Sequence, residues 1–172
     1  MDGYCEACCG KPERGKDMAV EVLGALDKFM DEMGGKLLKV KQMAGEKFRI
    51  DAHDTLGRTI YGRQVYDADG KPRSRRPWEL TGNLISSVGY TVVQGGRVMT
   101  SDYKVVLSGG EGKKEGEAHA RQIAAGQDDA IIANAGMDYA AAVEAKGYDV
   151  ISGSAERLKQ TYERLIKEML KV

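Results

Sequence analysis

Apolar residues follow a helical spacing in the first third of the chain. Two stripes stand on either side of Gly34-Gly35, and they comprise Ala19, Val22, Leu23, Leu26, Phe29, Met30 and Met33, then Leu37, Val40, Ala44, Phe48, Ala52, Leu56 and Ile60. Residues spaced three and four apart lie on one face of a helix. Two adjacent glycines inside a helix cost roughly 2 kcal/mol relative to alanine. The pattern therefore predicts two helices over 17–61, with Asp17 as the N-cap and a break at Gly34-Gly35.

The stripe of the second predicted helix is narrow for the helix length. A narrow stripe is suited to a sheet edge or a neighbouring subunit, and packing within its own monomer is equally compatible with it.

In the middle of the chain the apolar spacing changes to alternation. Val88, Tyr90 and Val92 point to one side of a strand, and Gly89, Thr91 and Val93 point to the other. Gln94-Gly95-Gly96 is a turn, so 86–107 is predicted to be a hairpin. A third strand is predicted over 128–135, centred on two isoleucines.

The C-terminal part of the chain returns to a helical pattern. Residues 108–117 are rich in Gly, Lys and Glu and are predicted to be a mobile loop, followed by a short helix that ends near Gly126. Tyr139 to Lys146 has helical spacing, Gly147 suits the position after a helix, and 148–151 is predicted to be short and extended. The last helix, over 152–171, is predicted to be capped by Ser152 or Ser154. Its stripe consists of Leu158, Tyr162, Leu165, Ile166, Met169 and Leu170.

Together these elements predict an α+β fold. A small antiparallel sheet of about three to four strands is flanked by long N-terminal helices and a C-terminal amphipathic helix. Residues 1–16 are predicted to be an irregular tail rich in Cys and Gly, and 17–172 a single domain. Within that domain, 62–80 is predicted to be a loop, and 81–151 the sheet with short helices.

Composition narrows the functional classes. The chain has 172 residues, of which 30% are charged, and its formal net charge is zero. Proteins whose main affinity is for phosphate backbones carry an excess of Lys and Arg, so this class is disfavoured. No apolar run approaches the roughly 18 residues that span a bilayer. The polar N-terminus has no signal-peptide pattern, so folding in the cytoplasm and no membrane contact are expected.

Few residues in the sequence are candidates for catalysis or metal binding. The three cysteines lie together in Cys5-Glu6-Ala7-Cys8-Cys9, and the histidines are His53, predicted on the polar side of its helix, and His119. A structural zinc site needs four ligands, so no metal or cofactor is predicted. Ser86-Ser87 has no base nearby in the sequence, and no catalytic residue is predicted. A small hydrolase or zinc enzyme that uses the cysteines remains an alternative, which metal analysis would decide.

The most basic stretch contains Arg73, Arg75, Arg76 and Trp78. Basic side chains beside an aromatic ring are typical of nucleic-acid contacts, so these four are candidates for contact with DNA or a partner protein. The alternative is a solvated loop anchored to the core by Trp78. An accessory nucleic-acid-binding protein is therefore a second functional hypothesis.

Two further segments resemble a known family. Thr81-Gly82-Asn83-Leu84-Ile85-Ser86-Ser87-Val88 resembles the "T-G-x-L-x-x-S-I" segment of the head–tail joining proteins of tailed bacteriophages, also called neck, tail-completion or minor capsid proteins. Tyr139-Ala140-Ala141-Ala142-Val143-Glu144 and the following Gly147 are similar to that family's "Y-A-x-x-V-E-x-G" segment. The order of elements over 17–170 also resembles that of the family.

The resemblance implies a structural protein without catalysis, which assembles as a homo-oligomeric ring between the DNA-filled head and the tail. Its implied partners are other copies, connector, portal-side and tail proteins, with weak contact to packaged DNA. Its implied location is the head–tail junction of the virion, after assembly in the host cytoplasm. In this scheme both motifs determine the fold. Thr81, Gly82 and Asn83 set the helix-to-strand turn, Tyr139, Val143 and Glu144 close the core opposite it, and Leu84 and Gly147 belong to the same fold-determining motifs.

Overall fold

A computed structural model describes residues 14–61, 65–66, 72–73 and 81–171, with side chains for 27–60 and 81–171. Contacts divide the chain into two units, 1–36 and 37–172, and each is described by itself. The predicted single domain over 17–172 stays a prediction, and the predicted tail lies almost entirely outside the described residues.

The described elements follow in a simple order. They are α1 (Arg14–Leu56), a π-helical turn (Gly57–Tyr61), β1 (Val65–Tyr66), β2 (Pro72–Arg73), α2 (Asn83–Ser87), β3 (Val88–Gln94), β4 (Arg97–Tyr103), α3 (Gly110–Ala124), β5 (Ala130–Ala135), α4 (Ala140–Ala145) and α5 (Ser152–Met169). The α+β class is confirmed, with a long N-terminal helix, a small antiparallel sheet and a C-terminal helix. No helix in these described ranges is long and apolar enough to cross a membrane.

The predicted break at Gly34-Gly35 is wrong, because α1 is continuous from Arg14 to Leu56. Helix propagation adds one hydrogen bond for each residue, so a long helix tolerates two poor helix formers in its interior. A side chain at Gly35 would meet no other atom within 4 Å, so this glycine is not required by packing. The predicted N-cap is also wrong, because Asp17 lies inside α1.

The main sheet has the order β4-β3-β5, and both pairings are antiparallel. The predicted hairpin and third strand are confirmed, except that Ser86 and Ser87 belong to α2 and 104–107 contain no strand. Gly95 and Gly96 form the hairpin turn with φ of +58° and +70°. Residues other than Gly, Asn and Asp rarely adopt this backbone conformation. Within the predicted loop over 62–80, β1 and β2 form a separate two-stranded ladder, so that part of the prediction is wrong.

The central strand β3 is buried on both faces. On one face, Val88, Tyr90 and Val92 share a core with α1 and α4, whose buried members also include Phe48, Ala52, Leu56, Leu84, Ile85, Ala140, Val143 and Val150. On the other face, Val93 and Tyr103 pack with Ala120 and Ala124 of α3. The predicted alternation of β3 is therefore correct, and both of its sides face protein.

Within 37–56, α1 lies over the first face of the sheet. Val40, Ala44, Phe48, Ala52 and Leu56 are all buried, so the narrow stripe packs against its own unit. Polar residues reinforce this packing: Gln42 Nε2 donates to Thr100 Oγ1 at 2.6 Å, and Arg49 Nε donates to Asp102 Oδ2 at 2.8 Å. Gly45 faces the ring of Tyr90, and a methyl group there would overlap the ring.

Two other predictions are corrected by the structure. Residues 110–117 belong to α3 and are not a loop. Residues 148–151 contain no strand, and they lead directly into α5. The stripe of α5 is only half-buried, and Leu170 at its end is exposed.

Candidate functional site

The Thr81-Gly82-Asn83 turn is built by local hydrogen bonds and one unusual backbone conformation. Gly82 has φ of +71°, and it occupies the N-cap position of α2. Thr81 Oγ1 accepts the N–H of Asn83 at 3.3 Å, and Thr81 O accepts the hydroxyl of Ser108 at 3.2 Å. A side chain at Gly82 would also overlap the carbonyl of Val106. This position therefore requires glycine for both conformation and space.

Asn83 connects the turn to α3. Its Oδ1 accepts the N–H of Gly112 at 3.3 Å, and its Nδ2 donates to Glu111 at 3.5 Å. Because the first N–H groups of a helix have no partner within the helix, this side chain satisfies one of them from outside. The motif thus positions the start of a second helix as well as its own.

Three glycines let α3 approach α2 closely. Side chains at Gly109, Gly112 and Gly116 would overlap the backbone oxygens of Gly82, Asn83 and Ser87 respectively. Sequence analysis missed this surface, although the glycine spacing of three and four, which is the spacing of one helix face, is visible in the sequence. The glycine content of 108–117 reflects close helix packing.

The hydroxyl groups of the two serines in the first motif are hydrogen-bonded to backbone groups. Ser86 Oγ accepts the N–H of Val106 at 2.8 Å and lies 3.3 Å from Val106 O, to which it donates. Ser87 Oγ donates to Leu84 O at 2.7 Å. Both serines are fully buried. Their hydroxyls hold the loop after β4 and the end of α2, which is a structural role.

The second motif meets the first at the end of the sheet. The N–H of Gly136 donates to Ser87 O at 3.2 Å, directly after the last β3–β5 pair, Val88 with Ala135. Leu84 and Val143 lie in the same core, and Tyr139 packs against it. The structure therefore brings the two predicted segments together around one core.

Glu144 has a role that sequence analysis did not predict. Its Oε1 accepts the N–H of Ser152 at 2.9 Å, and Asp149 Oδ1 accepts the N–H of Gly153 at 2.9 Å. Neither predicted serine caps α5, because the N-cap is Ile151 and it makes no side-chain cap bond. Gly147 adopts φ of +84° just after α4, as its predicted position requires.

A buried polar chain lies on the second face of the sheet. Tyr103 Oη donates to Asn134 Oδ1, and Asn134 Nδ2 donates to Gly116 O at 3.1 Å. Burial raises the pKa of Tyr103 to about 12. The phenol therefore stays neutral and acts as a hydrogen-bond donor, and this chain joins β4, β5 and α3.

His53 is half-buried, which corrects its predicted place on a polar face. Its Nε2 lies 3.0 Å from Val88 O, so the neutral ring carries its proton on Nε2 and donates to that carbonyl. Burial lowers the pKa of His53 below the usual value of 6.5. A neutral, donating imidazole links α1 to the start of β3.

The structure describes only some of the other candidates. Arg73 lies in β2, and Arg75, Arg76, Trp78 and the three cysteines lie outside the described residues. His119 is exposed on α3. Among the described side chains, no group of three or more His, Cys, Asp or Glu residues is placed to hold a metal ion. The predicted DNA or partner contact of the four basic and aromatic residues stays a prediction.

No protein-family model, curated protein or solved structure matches this chain. The polar side chains of both motifs bind backbone groups of neighbouring elements. Their arrangement stabilises the junction between α2, α3, the sheet and α5.

Proposed function

We propose that this protein is a structural component of the head–tail connector of a tailed bacteriophage, a neck or tail-completion protein that joins the DNA-filled head to the tail. The observation that carries the proposal is the ordered pair of motif segments. In the structure, the first segment leads into the sheet and the second follows its last strand, with Gly136 N–H bonded to Ser87 O at 3.2 Å.

Two further observations support a structural role. The fold is a small antiparallel sheet flanked by helices, as the resemblance implies. The motif residues Asn83, Ser86 and Glu144 are hydrogen-bonded to backbone groups of other segments. Such residues determine how the elements fit together, which is what a rigid connector subunit needs.

The experiment is to remove the chain from a phage that carries it and to image the products. We expect DNA-filled heads without tails, together with free tails, and normal particles after complementation with the wild-type chain. An antibody to the chain should label the neck of intact particles. Normal tailed particles in the absence of the chain, or label over the whole capsid, would overturn the proposal.

The accessory nucleic-acid-binding function remains the alternative. It depends on Arg73, Arg75, Arg76 and Trp78. Filter binding of the purified chain to DNA at low salt tests it, because electrostatic binding is strongest there. A variant in which the three arginines are replaced by glutamine is the control. Equal retention of DNA by both proteins would show that these arginines do not bind DNA.

A further inference from the structure

The main sheet ends in two strand edges that have no partner strand in the described part of the chain. The order β4-β3-β5 leaves the outer side of β4 and the outer side of β5 unpaired. Backbone groups at an unpaired edge are a template for another strand. The two edges belong to the same sheet and lie on its opposite sides.

Within the described part of the chain, residues of both edge strands are accessible. On β4, the side chains of Val98 and Met99 are each 49% exposed. Pairing of β4 with β3 is regular from Thr100 to Tyr103, and the register shifts at Met99. On β5, Ala130 and Ile131 line an open groove of about 380 Å³, and Ala135 lines a second groove of about 510 Å³.

The charges beside the two edges have opposite signs. Arg97 begins β4 and Lys104 follows it, whereas Asp128 and Asp129 precede β5 and Asp138 follows it. All five residues are exposed. Asp129 pairs with Lys41, but the other four make no ion pair with any side chain of 27–60 or 81–171. These four charges are available to a partner.

The flanking charges and the strand directions together indicate which edges can pair. β4 and β5 are both antiparallel to β3, so they run parallel to each other. If β4 of one copy continues the sheet beside β5 of the next copy, with the same sheet faces on the same side, the two strands run parallel. Arg97 then approaches Asp128, and Lys104 approaches Asp138. Pairing β4 with β4, or β5 with β5, brings together flanking charges of the same sign, which is unfavourable.

The apolar residues fit the same alignment. Val98 and Met99 lie in the first part of β4, and the groove beside Ala130 and Ile131 lies at the start of β5. That groove is also lined by Leu158 and Tyr162 of α5, which are only half-buried. The parallel alignment therefore places the exposed apolar start of β4 of one copy beside the groove at the start of β5 of the next.

We propose that the chain binds a second copy of itself by parallel pairing of the β4 edge of one copy with the β5 edge of the next. This contact uses two different surfaces, so an open assembly of any size keeps one free β4 edge and one free β5 edge. Heterologous contacts of this type form rings when the rotation between copies closes. Closure into a connector ring rests on the proposed function, whereas the pairing itself does not.

Three charge variants of the full chain test the proposal. The first carries Arg97→Glu and Lys104→Glu, the second carries Asp128→Lys and Asp138→Lys, and the third carries all four changes. The control is Lys39→Glu with Lys114→Glu, which reverses two exposed lysines on the helices α1 and α3. Circular dichroism and thermal melts establish that each variant is folded. Analytical ultracentrifugation over a concentration series measures association.

We expect the wild-type chain and the control to associate, and their association to weaken with salt because the pairing charges are exposed. The first and second variants each lose association by at least about tenfold in dissociation constant. An equimolar mixture of the two regains it, because every β4–β5 contact in an alternating assembly joins opposite charges. The variant with all four changes also regains it.

A wild-type chain that stays monomeric at its highest soluble concentration would overturn the proposal. So would folded edge variants that associate as well as the wild type, or a mixture that does not recover. These outcomes are separate from the test of function: label at the phage neck with no effect of the edge charges would leave the connector role and reject this interface.

Discussion

Glu144 and Ser152 are joined across a turn by a hydrogen bond of 2.9 Å from the Ser152 N–H to Glu144 Oε1. This bond ties the end of the Tyr139-to-Gly147 motif to the first turn of α5. The first N–H groups of a helix have no intrahelical acceptor, and they carry partial positive charge. A carboxylate from the preceding helix supplies the acceptor here, in place of the N-cap side chain.

Replacing Glu144 with Ala should therefore lower the free energy of unfolding by about 1 kcal/mol, which is typical for the loss of a helix cap. Urea denaturation of the whole chain measures this change. The matched control is Glu163→Ala, because Glu163 is an exposed residue in the middle of α5. An equal effect of both substitutions would show that the bond to Ser152 does not stabilise the fold.

Gly112 and Gly110 should respond oppositely to alanine. A methyl group at Gly112 would overlap the backbone of Asn83, whereas one at Gly110 would meet nothing within 4 Å. Gly112→Ala should therefore destabilise the protein by about 1–3 kcal/mol, the usual cost of overpacking. Gly110→Ala should be neutral or stabilise it by up to about 1 kcal/mol. Thermal melts of the two variants distinguish these signs, and a stable Gly112→Ala protein would contradict the observed packing of α2 on α3.

Gly35 and Gly45 form a similar pair within α1. Gly35 has open space around its Cα, so Gly35→Ala should increase helicity and stabilise the helix by about 0.5–1 kcal/mol. Gly45→Ala should destabilise the protein by about 1–3 kcal/mol, because its methyl group would overlap the Tyr90 ring. Circular dichroism at 222 nm measures the helicity of each variant, and thermal melts measure its stability. If Gly35→Ala reduces helicity, then α1 is not continuous through Gly34-Gly35.

The buried state of His53 predicts a dependence of stability on pH. Burial lowers the pKa of the folded imidazole below its unfolded value of 6.5, so the unfolded state binds the proton more tightly. The contribution of His53 is fully present above pH 6.5 and is lost as the pH falls through the folded pKa. Replacing His53 with Gln keeps a donor toward Val88 O and removes the titration.

Urea denaturation between pH 7 and the folded pKa should therefore give a shallower loss of stability for His53→Gln than for the wild type. The control is His119→Gln, because His119 is exposed on α3. The His119→Gln chain should keep the wild-type slope. Identical slopes for the wild type and His53→Gln would contradict the buried, neutral state of His53.

Much of the fold was predictable from local pattern. The alternation of Val88, Tyr90 and Val92, with two glycines after Gln94, predicts β3 and its turn because side-chain direction and turn conformation are local properties. The prediction failed at Gly34-Gly35 for a related reason. Intrinsic propensity is a weak prior, and the residues on both sides favour the helix. The sequence alone could not show that α1 continues.

The candidate site was only partly predictable. The T-G-N turn and Gly147 were found, because their backbone conformations demand particular residue types. The glycine face of α3 was interpreted as a loop, because its partner, α2, is distant in sequence. Glu144 was recognised as part of a motif, but its acceptor role depends on where Ser152 lies.

The sequence by itself determined the C-terminal helix, the strands of the main sheet, the positive-φ turn at Gly82, and the two faces of β3, because these depend on residues close together in the chain. Only the tertiary structure decided what those elements contact. Asn83 bonds to Gly112, Gly136 meets Ser87, and Glu144 accepts from Ser152. Such contacts are decided by close packing and by the need of buried backbone groups for partners, and neither is visible in a local pattern.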